Sequence, residues 1–310
     1  MNNTTKIIDF IKRLTFKLAI RCIPKFKSTQ KTNQIGLSSV ICHDKLDMFI
    51  CSASSLMYHL GKTLPIYAID DGTLSIADKK KLDNIFDITI ESRKVRGKKW
   101  EKKLSRHHEF KKYRLHEYSP VTKLKYDAYT LSPFSKVIYF DLDVLFLKKP
   151  KLLSDWINSD SDLNYYCKYP RKEVKSDIRS DADYSFRYIL DKFIFPMATL
   201  SFNSGIVAIA NKSIINFNKL NEIFLFFKSI GYSKSFMAEE TALSILFAKK
   251  NCKSLPIQEF ICVAKKNEYA KANITHAQAI HFIAETKSSY ISHALKLFKK
   301  TFFLRYKKQV

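Results

Sequence analysis

Two aspartates two residues apart, Asp141 and Asp143, lie inside an otherwise apolar run, Lys136-Val-Ile-Tyr-Phe-Asp-Leu-Asp-Val-Leu-Phe-Leu147. The run is bounded by Ser132, Pro133 and Ser135 before it and Pro150 after it, so it reads as one buried strand. Side chains alternate along a strand, which puts both carboxylates on one face and Leu142 on the other. Two like charges on a buried face repel and are costly to desolvate. A hard divalent cation, itself able to bind phosphate oxygens, is the usual remedy. The plainer alternative is one buried acid that caps a helix and one solvated acid.

Other residues with chemistry to offer follow in order: Asp70-Asp71-Gly72, Lys123 and Lys125, Phe202-Asn203-Ser204-Gly205, Glu239-Glu240, and His281 with Lys287 six residues later. Each has a bland reading. His281 in an apolar strand is commonly a satisfied core histidine. Glu239 and Glu240 suit a helix N-terminus, where the dipole favours acids. Asp70-Asp71-Gly72 can be only a turn, and Asn203 can merely satisfy a bend.

The elements that must position these residues follow from periodicity. Gly36 to Cys42 reads as a first strand, Asp44 to Leu60 as a helix ended by Gly61, and Leu64 to Ile69 as a second strand. Thr73 or Ser75 caps a helix running to about Phe86, and Ile88 to Ile90 is a third short strand. Strand–helix alternation of this kind builds a parallel sheet with right-handed crossovers, whose ligands bind beyond the carboxyl ends of the strands. Further helices are expected at Pro120–Leu131, Leu152–Ile157, Tyr188–Phe193, Asn216–Ile230 and Ala238–Lys249. Further strands are expected at Leu163–Tyr169, Leu200–Ala210, Phe260–Ala264 and Ala279–Ile283, and residues 171–185 read as a polar connection. In the Leu200–Ala210 strand, Asn203-Ser204-Gly205 marks a place where a backbone can approach a ligand closely.

The chain has 310 residues, 46% of them hydrophobic, enough for a large α/β domain with a real core. Lys and Arg number 54 against 29 Asp and Glu, a net charge of +25, which points to an acidic partner. Two basic amphipathic stretches, residues 1–33 and 290–310, flank the domain expected at 34–289; the first sets Ile7, Ile11, Leu14 and Leu18 on one face among Lys6, Lys12, Arg13, Lys17 and Arg21. Residues 93–125 carry thirteen Lys or Arg and three acids, with Trp100, Phe110, Tyr113 and Tyr118 among them. A nucleic-acid surface would use these aromatics as stacking platforms; a solvated helix face accounts for most of the charge. The six cysteines form no CxxC pair, as in a protein of reduced thiols. Charges interrupt every apolar stretch of the N-terminus, unlike a signal peptide, and no run is long enough to span a membrane. Neither GxGxxG nor GxxxxGK[ST] occurs.

The order and spacing of Asp70-Asp71-Gly72, Lys123/Lys125, Asp141-Leu-Asp143, Phe202-Asn-Ser-Gly205, Glu239-Glu240 and His281…Lys287 resemble the GT-A nucleotide-sugar glycosyltransferases, especially glycosyltransferase family 8, over roughly residues 36–290. The resemblance implies a Rossmann-like, mostly parallel sheet flanked by helices. It implies that Asp141, Asp143 and His281 ligate Mn2+ or Mg2+ and that Lys287 meets the donor phosphate. Asp70 or Asp71 would hold the nucleoside, Lys123 or Lys125 would face the donor, and Asn203, Ser204 and Gly205 would line the sugar pocket. Glu239 and Glu240 match the acidic catalytic segment. The implied partners are a nucleotide-sugar donor, UDP-sugar foremost, and a glycan or lipid-linked acceptor such as lipopolysaccharide or capsule. The basic ends suggest a peripheral enzyme on an anionic cytoplasmic membrane face, with no nucleic acid partner. Three departures stand out: Ala284 in place of glycine, Lys287-Ser288 in place of Lys-Pro-Trp, and Glu-Glu-Thr in place of Asp-Gln-Asp. They leave the stereochemical outcome open. Phe140-Asp-Leu-Asp-Val-Leu also resembles the nucleophile motif of haloacid-dehalogenase phosphatases, although that motif normally sits near the start of the core.

Overall fold

In the computed structural model, the residues described are 3–27, 34–92, 98, 100–115, 120–168, 202–210, 212–232, 238–248, 251–263, 274–283 and 286–301. The first strand, β1 (Ile35–Ile41), is buried along almost its whole length, as befits the middle of a parallel sheet. Its polar residues are satisfied locally: Ser38 donates to the carbonyls of Tyr67 and Ala128, and Ser39 donates to that of Phe140. Helix α2 (Leu46–Leu60) follows a single 3-10 turn and ends at Gly61, whose φ of 64° is the left-handed cap expected there. Strand β2 (Ile66–Asp70), helix α3 (Ile76–Ile85) and strand β3 (Ile88–Glu91) complete the expected alternation, with Ser75 and Asp78 forming a capping box.

Helix α4 (His108–Leu115) and helix α5 (Pro120–Thr130) lead into β4 (Lys136–Phe140). Here the chain departs from expectation. The run from Lys136 to Leu147 is two strands in two sheets, β4 and β5 (Val144–Phe146), joined by a tight turn in which the Val144 N–H donates to the Asp141 carbonyl at 3.2 Å. A straight strand would bury both carboxylates between layers. The corner instead carries them to the sheet's end, where Asp141 is half-buried and Asp143 stays buried.

Helix α6 (Lys151–Ile157), β6 (Asn164–Lys168), β7 (Phe202–Ile209), α7 (Phe217–Ser229) and α8 (Ala238–Leu246) come next, then β8 (Cys252–Ser254), β9 (Phe260–Val263), β10 (Ala279–Phe282) and α9 (Lys287–Thr301). The boundary expected at 290 therefore falls inside α9, which starts at Lys287. The connection at 171–185 and the helix at Tyr188–Phe193 lie outside the described residues.

The main sheet has the order β3-β2-β1-β4-β7-β6-β8, and a smaller one runs β5-β10-β9. Strands β3, β2, β1 and β4 are parallel; β7 is antiparallel to both β4 and β6; β6 and β8 are parallel. Alternation along β4 sends Ile138 and Phe140 into one apolar layer, beneath α1 (Asn3–Arg21), α2 and α9, and sends Val137 and Tyr139 into the other, beneath α4, α5, α7 and α8. Trp100, Phe110 and Tyr113 are core residues of that second layer rather than surface platforms. The Asp141–Asp143 turn closes the fourth strand, not the first as the phosphatase reading would favour. All six cysteines are free thiols.

Candidate active site

Asp141 follows β4 directly and shares the face of Tyr139, whose hydroxyl donates to its Oδ1 at 2.6 Å. Its Oδ2 accepts from the buried Lys125 Nζ of α5 at 2.9 Å, and the same ammonium donates to Ser204 Oγ at 2.7 Å. Asp143 leaves the turn toward β10. There the antiparallel register sets His281 against Val144, so His281 Nε2 comes within 3.1 Å of Asp143 Oδ1 and 3.6 Å of Asp141 Oδ2. Lys287, at the start of α9, reaches the other Asp143 oxygen at 2.9 Å. The six-residue spacing from His281 to Lys287 is thus the distance from the end of a strand to the first turn of the next helix.

The electrostatics follow from these contacts. Burial alone would raise the Asp143 carboxyl, but the His281 hydrogen bond and the His281 and Lys287 charges outweigh it and hold the group well below the usual carboxylate range. Burial would depress the Lys125 ammonium; Asp141, Glu239 and Glu240 reverse that and keep it firmly charged. Lys287 is likewise raised, since Asp143 outweighs its partial burial. Tyr139 is pushed up by burial and by Asp141, so it stays a proton donor.

Strand β7 forms the site's inner wall. Glu240 Oε1 accepts from the Ser204 N–H at 2.8 Å, from Ser204 Oγ at 3.3 Å and from Asn203 Nδ2 at 3.2 Å. Both Glu239 and Glu240 open α8 and are buried. Gly205 admits a close approach, as its position in the strand suggested. What approaches is the His281 imidazole, into which a Cβ at Gly205 would project. Asp70 and Asp71, at the carboxyl end of β2, are engaged in their own loop. Asp70 Oδ1 accepts from the Gly72 and Leu74 N–H groups and Oδ2 pairs with Lys79 at 2.8 Å, while Asp71 Oδ1 accepts from Thr73. Lys123 lies on α5, and its side chain is outside the described residues.

Asp141, Asp143, His281, Lys287, Lys125, Asn203, Ser204, Gly205 and Glu240 thus come together from β4, the turn, β10, α9, α5, β7 and α8. Tyr139 belongs with them and was not singled out from sequence; its position two residues before Asp141 on the same strand face is the signal that could have found it.

One ligand atom from each of Asp141, Asp143 and His281 lies within 4.8 Å of the others. Donors around an octahedral ion at ~2.1 Å stand about 3 to 4 Å apart, so the set fits a divalent cation. An imidazole beside two carboxylates suits a transition ion such as Mn2+ better than a purely oxygen-ligated one.

No protein-family model matches the chain, and no curated protein matches it. Among solved structures it is similar to the apo form of the bifunctional glycosyltransferase WbbM, 13% identical with a TM-score of 0.54, over 89% of this chain and 53% of that one. The chain therefore spans about half the length of that relative. It is also similar to mouse xyloside xylosyltransferase 1, 10% identical with a TM-score of 0.56, over 82% and 99% of the two chains. A third likeness is to the galactosyltransferase LgtC in complex with donor and acceptor sugar analogs, 12% identical with a TM-score of 0.53, over 86% and 96%. With these relatives the chain shares the GT-A fold of the glycosyltransferases.

Proposed function

We propose that the protein is a metal-dependent glycosyltransferase, of the family 8 kind, that moves a sugar from a nucleoside-diphosphate donor, a UDP-sugar foremost, to a glycan or lipid-linked acceptor of the lipopolysaccharide or capsule type. The observation that carries the reading is the convergence of Asp141, Asp143, His281 and Lys287 at the carboxyl end of the central strands. In open α/β sheets that end, at the change of strand order beside β1, is where ligands bind.

Asp141, Asp143 and His281 would hold Mn2+ or Mg2+. When bound, the cation supplies positive charge for the diphosphate that departs as the glycosidic bond breaks. Lys287, part-exposed at the rim, adds a mobile point charge for the same phosphates. Lys125 and Tyr139 hold the Asp141 carboxylate in place between turnovers. Asp70, Asp71 and Lys123 are assigned to the nucleoside and donor side, and Asn203, Ser204 and Gly205 to the wall beside the sugar. Glu239 and Glu240 are the carboxylates assigned to the reacting carbon. With inversion, one of them takes the proton of the acceptor hydroxyl. With retention, the departing phosphate oxygen takes it and the carboxylate offsets the positive charge that develops on the sugar.

The acceptor side of this reading includes an anionic membrane surface. On α1 the residues facing the domain are Phe16, Ala19 and Ile20, while Ile7, Phe10, Ile11, Leu14 and Leu18 face outward, Phe10 being 67% exposed. The helix is apolar on two opposite sides, with Lys6, Arg13 and Lys17 along one flank between them. Among the described residues no helix is long and apolar enough to cross a membrane, so α1 would lie in the lipid interface.

Thermal-shift measurements with UDP-, GDP-, CMP- and dTDP-sugars, with and without Mn2+, test the chemistry. One donor is expected to stabilise the wild type only with Mn2+, by about 2.7 kcal/mol at a hundredfold excess over Kd, and Asp143→Asn should lose that response. Stabilisation by none of the donors, or equal stabilisation without metal, would count against the proposal. Acid-quench trapping of an aspartyl-phosphate on Asp141 would establish the phosphatase instead.

A further inference from the structure

A metal-binding histidine can offer only the nitrogen that lacks a proton, and the partner of the other nitrogen decides which one that is. For His281 that partner is Asn203. The orientation of the Asn203 amide is fixed at both ends. The Gly205 backbone N–H lies 3.0 Å from one end; it can only donate, so the atom it faces is the carbonyl oxygen Oδ1. The other end lies 3.2 Å from Glu240 Oε1, an acceptor, which calls for the amide Nδ2. The same Oδ1 is 2.9 Å from His281 Nδ1, so Nδ1 is the nitrogen that carries hydrogen. Cys262 Sγ, at 3.9 Å from Nδ1, is a weak and distant alternative. Nε2 then faces Asp143 and Asp141 and is the nitrogen left for a cation.

Burial makes the arrangement obligatory. Asn203 is 1%, His281 5% and Glu240 7% exposed, so water cannot take over any of these bonds. Gly205 completes it, because only a residue without Cβ lets the ring lie against β7.

We propose that Asn203 is a positioning residue that sets the tautomer of His281, with Glu240 holding the amide and Gly205 making room for the ring. The proposal rests on the metal site assigned above. It gives Glu240 a task at the metal centre, through Asn203, that is separate from any role at the sugar. It also gives Asn203 a task that does not require it to touch the donor.

Long-range proton–nitrogen correlation spectra of protein carrying 15N-histidine read the tautomer directly. In the wild type with Mg2+, His281 is expected to be protonated at Nδ1 and not at Nε2. Asn203→Leu should lose that preference and bind Mn2+ alone at least ~10-fold more weakly, as read by electron paramagnetic resonance of the free ion. Glu240→Gln keeps an oxygen acceptor and should retain both properties; Glu240→Ala should lose them. A wild-type spectrum with hydrogen on Nε2 and none on Nδ1 would overturn the proposal, as would an Asn203→Leu protein with unchanged spectrum and Mn2+ affinity. If Asn203→Leu does not fold, the wild-type spectrum decides. A wild type that binds no Mn2+ would sink the metal reading, whereas a wild type that binds Mn2+ but shows hydrogen on Nε2 and none on Nδ1 with Mg2+ bound would overturn the tautomer alone.

Discussion

His59, near the end of α2, shows how one side chain away from the cleft ties the fold to pH. Its Nε2 has no hydrogen-bond partner among the described residues, and burial pulls its pKa down to about 4. In the unfolded chain the same group titrates near the ordinary ~6.5. Between these values the unfolded state binds the extra proton, so stability is complete above about pH 6.5 and falls as pH drops toward 4. The full shift corresponds to ~3 kcal/mol, and partial solvent access brings the expected effect nearer 1–2 kcal/mol. His59→Phe keeps the edge-on contact with Tyr58 and removes the titration. Urea unfolding at pH 7.5 and pH 5 should show the wild type losing that much more than the variant; equal losses would refute the assignment. At this scale the sequence made Asp141, Asp143, His281 and Lys287 visible, because chemistry dictates their residue types. It did not reveal the Tyr139 and Lys125 hold on Asp141 or the Asn203–His281 bond, since those depend on neighbours brought together by tertiary packing.

Elements were legible wherever local physics sets them. Gly61 stops α2, Ser75 starts α3, and Asn216 caps α7 through the Lys219 N–H. The corner at Asp141–Asp143 was not legible, because apolar alternation continues unbroken when a chain leaves one sheet for another. Strand pairing has its own hidden requirement at Gly36, which sits opposite Val137 in the parallel β1–β4 register. A Cβ there would run into the Phe134 ring. Gly36→Ala is expected to cost about 1–3 kcal/mol in urea unfolding, and Phe134→Leu in the same chain should recover part of it. A Gly36→Ala protein as stable as the wild type would mean the ring has room to move.

For the molecule as a whole, the proposed membrane role has the net charge of +25 and the outward face of α1 acting together. Phe10→Ser, Ile11→Ser and Leu14→Ser combined should abolish cosedimentation with vesicles containing phosphatidylglycerol and leave donor-induced stabilisation unchanged. Wild-type binding that is the same on neutral phosphatidylcholine vesicles, or binding that survives the triple change, would remove the membrane role. The sequence showed that both terminal stretches are basic and amphipathic, but not that they differ. The α9 helix turns Tyr290, Ala294, Leu297 and Phe298 inward, and Phe16 of α1 meets the rings of Tyr290 and Phe298 at 6.3 and 6.2 Å. That pairing orders events during synthesis. Helix α1 leaves the ribosome long before α9 exists, so the part of its inner face that α9 covers waits through translation of the whole domain. In the membrane role proposed above, its outer face needs no such partner and would be competent from the start. A nascent chain could therefore be held at a lipid surface by one side of α1 while the other side waits to close the fold.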